Sequence, residues 1–151
     1  ISQDGIVYVI GGRRSMAIAV RAGGRGDVTE THRVWEAKAG ANVTSPVIHD
    51  GHMYWVSDRN KVAYCLRLSD GEVLYAERFP DQPYASAAAG DGKIYIVTRR
   101  GGTYVLAAKP TFELLAVNQF ASDATRTNAS LAVSNNQLLL RSDQAIYCIG
   151  K

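Results

Sequence analysis

Three features of the sequence predict an all-β fold assembled from repeated, four-stranded antiparallel units. A tight-turn pair followed by an apolar, β-rich run occurs at Asp4–Ile10, Asp50–Val56 and Asp91–Val97, with a weaker copy at Asn135–Arg141. Successive copies begin 46, 41 and 44 residues apart, which is a repeat period. No stretch carries a convincing helical period.

Within each copy, Asp-Gly or Asn-Asn suits turn positions that need positive φ. The apolar run after it suits a strand covered on both faces. A short polar turn follows at 11–15, 57–61, 98–102 and 142–144, and a second strand at 16–20, 62–66, 103–107 and 145–149. Tyr64, Tyr104 and Tyr147 recur in the second strands. A Gly- or Pro-containing connection leads to a third strand at 33–37, 73–77 and 113–117. Small residues then form a strand at 44–48, 85–89 and 129–133, with Ser45, Ser86 and Ser130 aligned at its start.

Four strands in about 40–45 residues make one blade of a β-propeller. Small residues belong to the innermost strand, A, where blades crowd around the axis. The tyrosine-bearing B and C strands lie between neighbouring blades, and D is outermost. The chain therefore reads as a partial A with B, C and D, two complete sets, and a final A, B and C. The expected units are 1–43, 44–84, 85–128 and 129–151, three to four four-stranded antiparallel blades. Propellers carry about 4 to 8 blades. The segment is thus expected to be the C-terminal part of a larger propeller of about seven or eight blades, the others lying upstream or coming from another chain. An unclosed arc would leave apolar blade faces exposed.

The net charge of +3 and pI near 9.0 carry only a weak expectation of an anionic partner. No apolar run approaches the roughly 18 residues of a membrane span. Cys65 and Cys148 sit in matching Tyr-Cys contexts 83 residues apart, close to two repeats. Both are expected to be free, buried small hydrophobes, too far apart to bridge.

Charge placement is more informative than net charge. The B–C turns carry Arg13, Arg14, Arg59, Lys61, Arg99 and Arg100, and Arg141 ends the strand before the last turn. In a propeller these turns share a face with the D–A loops, so the cations are expected to form part of one basic rim. Asp4, Asp27, Asp50, Asp70 and Asp91 fall on the opposite face. Clustered arginine fits recognition of carboxylate or phosphate, so the expected partner is a protein or acidic ligand. The competing reading is solvated turn charge that maintains solubility.

Other motifs have simpler explanations. His49, Asp50 and His52 are metal-ligand types, but the turn already accounts for Asp-Gly and no converging ligand can be assigned. Arg25-Gly26-Asp27 spells an adhesion tripeptide within a glycine-rich loop, and Asn42 and Asn128 match glycosylation acceptors without a context that would use them. The Gly11-Gly12 and Gly23–Gly26 stretches lack what a phosphate loop needs after it. Trp55 reads as blade packing rather than a platform for bases, and no nucleic-acid partner is expected. No nucleophile with a neighbouring histidine and carboxylate can be assembled.

The connection Cys65–Tyr75 resembles the tryptophan-docking repeat of pyrroloquinoline-quinone (PQQ)-type propellers. Gly71, Glu72 and the aromatic Tyr75 fit that pattern, while Cys65, Arg67 and Asp70 depart from it. Trp35 takes the aromatic place in the first unit and Leu115 in the third. With the Asp-Gly strands, the resemblance covers nearly the whole chain. It implies a structural docking role for Trp35, Tyr75 and Gly71, and one of two functions. One is a non-catalytic, extracytoplasmic binding or scaffold propeller of the BamB-like branch, periplasmic in a bacterium, cofactor-free and with its signal upstream of Ile1. The other is part of a PQQ-dependent quinoprotein dehydrogenase binding PQQ with calcium. The vicinal cysteine pair typical of quinoprotein alcohol dehydrogenases is absent, and their calcium ligands and catalytic carboxylates cannot be placed. The scaffold is therefore the expected function.

Overall fold

A computed structural model describes residues 1–11 and 14–150 of the protein. Its strands form three four-stranded sheets and one three-stranded sheet, all antiparallel. Sheet 1 contains β1 (Ser2–Gln3), β2 (Ile6–Gly11), β3 (Met16–Arg21) and β4 (Arg33–Ala37). β5 (Val47–His49), β6 (His52–Val56), β7 (Val62–Arg67) and β8 (Val73–Arg78) make sheet 2. Sheet 3 holds β9 (Ala88–Gly90), β10 (Lys93–Val97), β11 (Thr103–Ala107) and β12 (Leu114–Asn118), and sheet 4 holds β13 (Ala132–Ser134), β14 (Gln137–Arg141) and β15 (Ile146–Ile149).

The A–B turns adopt the backbone their residues demand. Both residues of Asp4-Gly5, Asp50-Gly51, Asp91-Gly92 and Asn135-Asn136 have positive φ, between 44° and 75°. That is the mirror-image hairpin turn whose twist matches the flanking strands.

The sheets stack because each B and C strand is apolar on both faces. Tyr8, Ala17, Ala19 and Trp35 of sheet 1 pack on Met53, Trp55, Tyr64 and Leu66 of sheet 2. The opposite face of sheet 2, with Tyr54, Val56, Cys65 and Tyr75, packs on Ile94, Ile96, Tyr104 and Leu106 of sheet 3. A smaller cluster around Val97, Leu131 and Leu140 joins sheets 3 and 4. At the inner edge, the Ser45 amide donates to Ser86 Oγ and the Ser86 amide to Ser130 Oγ, both at 3.0 Å. The aligned serines are thus a polar chain running from blade to blade, which requires small side chains there.

Four details differ from the sequence expectation. The A strands begin later, at Val47, Ala88 and Ala132, because the segments before them are engaged elsewhere: Thr44 Oγ1 donates to Val56 O and the serines bond between blades. The long glycine-rich connection between β3 and β4, residues 23–32, holds a single helical turn, α1 (Thr29–His32), opened by the Thr29 amide donating to Asp27 Oδ1. The third aromatic place belongs to Ala116 and not to Leu115. Every C–D pairing has a bulge at the same point, where Val34, Leu74 and Leu115 are the extra residues, so Ala116 pairs with Val105 as Trp35 pairs with Ala19 and Tyr75 with Cys65.

Finally, both cysteines are free, but only Cys65 is buried; Cys148 is exposed. Cys148 lies on the face of sheet 4 that no further sheet covers, where Ile146 is 75% exposed. Burial pushes the Cys65 thiol up to about 11. A thiol reagent at neutral pH is therefore expected to label Cys148 quickly and Cys65 only on unfolding, as read by mass spectrometry of the native and denatured chain.

Candidate binding face

The B–C turns and D–A loops are tied into one surface. The Asn42 and Val43 amides donate to Asp58 Oδ1, and Gln82 Nε2 donates to Asp58 O at 2.6 Å. The Arg99 amide donates to Gln82 O, the Thr127 amide to Arg99 O and the Asp143 amide to Arg126 O. The described members of the basic set predicted from sequence all lie on this surface or at its edge, while Arg13 lies outside the described residues. Arg14, Arg59, Arg100 and Arg141 are exposed. Arg59 Nη1 reaches Ser15 Oγ of the preceding blade at 3.3 Å, and Lys61 Nζ donates to Pro80 O. The Arg99 guanidinium stands 4.2 Å from the centre of the Tyr84 ring, a cation–π contact, and its Nε is buried without a hydrogen-bond partner among the described residues.

Sequence reading missed other charges here. Lys38, Arg78 and Arg126 follow or end strands that finish on this side, all exposed. Asp58, Asp81, Asp123 and Asp143 share the surface; the first three each commit a carboxylate oxygen to internal hydrogen bonds, while the Asp143 side chain is exposed in the last B–C turn. Asp58 holds the loop amides, and Asp81 Oδ2 accepts from Tyr104 OH at 3.1 Å. Asp123 accepts from Ser142 Oγ, Tyr147 OH, Thr125 Oγ1 and the Thr125 amide. None of this was readable beforehand, since the three carboxylates sit in connections of different composition.

The distribution of ion pairs separates the two faces. Arg33 with Glu30 and Glu36, Arg67 with Asp70 and Glu72, Lys93 with Asp91, Lys109 with Glu113 and His49 with Asp50 all lie at the A–B turns or C–D connections. On the B–C side, Arg14, Arg99, Arg100 and Arg141 make no ion pair among the described residues. The A–B and C–D side pairs most of its cations, Arg21 and Arg25 excepted, and the B–C side leaves several available.

The side-chain hydrogen bonds from Ser142, Thr125 and Tyr147, with the Thr125 amide, hold the Asp123 carboxyl well below its ordinary value. A depressed carboxylate contributes stability above its unfolded value, near 3.8, that is lost as pH falls through the lower folded value. Unfolding free energy measured between about pH 5 and pH 2 should decline more steeply in the parent than in Asp123→Asn. Equal slopes would remove Asp123 from the stability of this junction.

The docking residues lie on the outer side of the blades. Trp35 Nε1 donates to Leu68 O of the next blade at 2.8 Å, and its ring covers Gly71, which has φ +74°. Tyr75 meets Phe112 of the following blade edge-on, with centroids 5.6 Å apart. Trp35 and Tyr75 are buried, and Phe112 is exposed. Among the described residues, no group of three or more His, Cys, Asp or Glu side chains could hold a metal ion, so the residues present offer no donor cluster for a quinone-bound calcium. No described helix is long and apolar enough to cross a membrane.

No protein-family profile matches the sequence, and no curated protein matches it. Solved structures do. BamB from Moraxella catarrhalis aligns with 96% of this chain at a TM-score of 0.74 and 14% identity, and the chain spans 42% of its length. The computationally designed Ika4 protein aligns with 99% of this chain and 88% of its own, at a TM-score of 0.73 and 12% identity. BBS1N, crystallised in complex with ARL6DN, aligns with 95% of this chain and 45% of its own, at a TM-score of 0.64 and 16% identity. With the sheet topology, these likenesses establish a β-propeller fold.

Proposed function

We propose that the chain is part of a non-catalytic binding or scaffold propeller whose ligand face is the B–C turn rim. Arg14, Arg59, Lys61, Arg99, Arg100 and Arg141 are the described residues assigned to it. The observation that carries this reading is the uneven placing of ion pairs: Arg33, Arg67, Lys93 and Lys109 on the opposite face are compensated by neighbours, Arg21 and Arg25 there being the exceptions, while on the rim Arg14, Arg99, Arg100 and Arg141 make no ion pair among the described residues. Uncompensated arginine on a hydrogen-bonded framework suits an acidic protein surface.

The same reading places the chain in the PQQ-like, BamB-like group on the residues around Gly71 and Tyr75, and hence in the periplasm or another extracytoplasmic space. Units 1–43, 44–84, 85–128 and 129–151 would be successive repeats, with further blades from a longer polypeptide or another chain. The exposed apolar ends support that arrangement: Val9 is 46% exposed on sheet 1, where its counterpart Trp55 on sheet 2 is 1% exposed.

Replacing Arg59 and Arg100 together by glutamate tests the rim. Retention on immobilised poly-glutamate and capture of the native partner should each weaken by about tenfold or more, with folding unchanged. Unchanged affinity would assign these charges to solubility. Adding PQQ with calcium should leave the absorbance and fluorescence spectra unaltered, and a bound-quinone spectrum would contradict the reading.

A further inference from the structure

The stack is unevenly filled. Between sheets 2 and 3 the row Tyr54–Cys65–Tyr75 presses against the next blade and Leu106 there is 1% exposed. Between sheets 3 and 4 the equivalent row is Tyr95–Val105–Ala116, which lacks the third strand's aromatic ring, and Ile149, the counterpart of Leu106, stands on the edge strand of the three-stranded sheet 4 and is 42% exposed. An apolar cavity of about 240 Å³ remains between Tyr95, Phe120, Leu138, Leu140 and Ile149. It adjoins a wider opening of about 460 Å³ on the B–C side, the two sharing Thr103, Asn118, Gln119, Phe120 and Leu140.

The walls are fixed. Phe120 stacks on Tyr147 with centroids 3.7 Å apart, Gln119 Nε2 donates to Gly101 O, and Tyr147 OH donates to Asp123. The mouth is cationic. Among the described residues, Arg99 and Arg100 line it without ion pairs, and the buried Arg99 Nε has no hydrogen-bond partner. Asp123 is the carboxylate in the lining, and its oxygens are occupied by four donors.

We propose that this cleft between the third and fourth blades is a peptide-docking site, taking an extended acidic segment of a partner protein with one large apolar side chain. That side chain enters the cavity, and an adjacent carboxylate pairs with Arg100 and Arg99 at the mouth. An apolar slot alone would accept any hydrophobe and a bare arginine rim any anion. Their adjacency selects a ligand with both. The inference rests on the rim reading above and narrows it to one cleft and one ligand chemistry.

The test uses the full chain and short synthetic peptides, with binding followed by fluorescence anisotropy. A peptide carrying tryptophan between two aspartates should bind, and replacing either the tryptophan by alanine or the aspartates by asparagine should weaken it about tenfold or more. Arg100→Glu, at an exposed site, should weaken the parent peptide similarly. Leu138→Phe, which fills the slot, should weaken it while sparing retention on poly-glutamate. If the tryptophan-free acidic peptide binds as well as the parent, the cleft proposal fails and the rim survives. If neither acidic peptide nor poly-glutamate binds, both fail. Binding that persists in Arg100→Glu and Leu138→Phe together also overturns the proposal, because the site then lies elsewhere.

Discussion

Replacing Trp35 by alanine is expected to lower the unfolding free energy by about 3–5 kcal/mol, the range for removing a buried tryptophan from a packed site. The indole is 7% exposed and contributes to the cluster joining the first two blades, against Tyr8 at 5.9 Å between centroids. It also carries the hydrogen bond from Nε1 to the Leu68 carbonyl at 2.8 Å. Trp35→Phe separates the two contributions. It keeps most of the apolar contact but abandons that carbonyl, at about 1–2 kcal/mol. Urea unfolding followed by circular dichroism reads both variants. A loss below about 1 kcal/mol for alanine would mean that the ring is solvated and the blades are not docked there.

Gly71→Ala is expected to cost about 2–5 kcal/mol, from two sources. Its φ of +74° is left-handed, which costs an L-residue about 1–2 kcal/mol. An added Cβ would also lie 2.6 Å from the Trp35 ring, so the indole must shift, an overpacking cost of about 1–3 kcal/mol. The second source has a signature. In a Trp35→Ala background the clash disappears while the backbone strain remains, so the glycine substitution should cost only about 1–2 kcal/mol there. Strict additivity of the two variants would show that Trp35 does not cover Gly71.

The parts of the fold that were readable are those set by local chemistry. Asp-Gly and Asn-Asn pairs announce positive φ, and all four turns have it. Runs such as Met53-Tyr54-Trp55-Val56 are apolar on both faces, and all four residues are buried between sheets. What escaped depends on residues far apart in sequence. The bulge beside Leu115 moves the docking place by one residue, because pairing with β11 and not the spacing of the motif fixes it. Cys148 repeats the context of Cys65 but not its burial, because burial is supplied by the next blade.

The candidate site was legible only as a charge pattern. Periodic arginine in one turn class located the face, but the sequence held no sign that Asp58, Asp81 and Asp123 would be absorbed by amide and hydroxyl donors. The cleft was hidden for a similar reason. It lies where Asn118, at the end of β12, meets a loop, residues 119–131, whose course is set by hydrogen bonds to Arg99 and Gly101.

Stacking of consecutive repeats through matching faces underlies both the fold and the rim, and nuclear Overhauser spectroscopy tests it most directly. Cross-peaks from the Trp35 indole to the Gly71 α-protons are expected in the native chain, since that ring lies against the glycine. A Trp35 ring with solvent-like shifts and no cross-peak to residues 68–71 would contradict the docked arrangement.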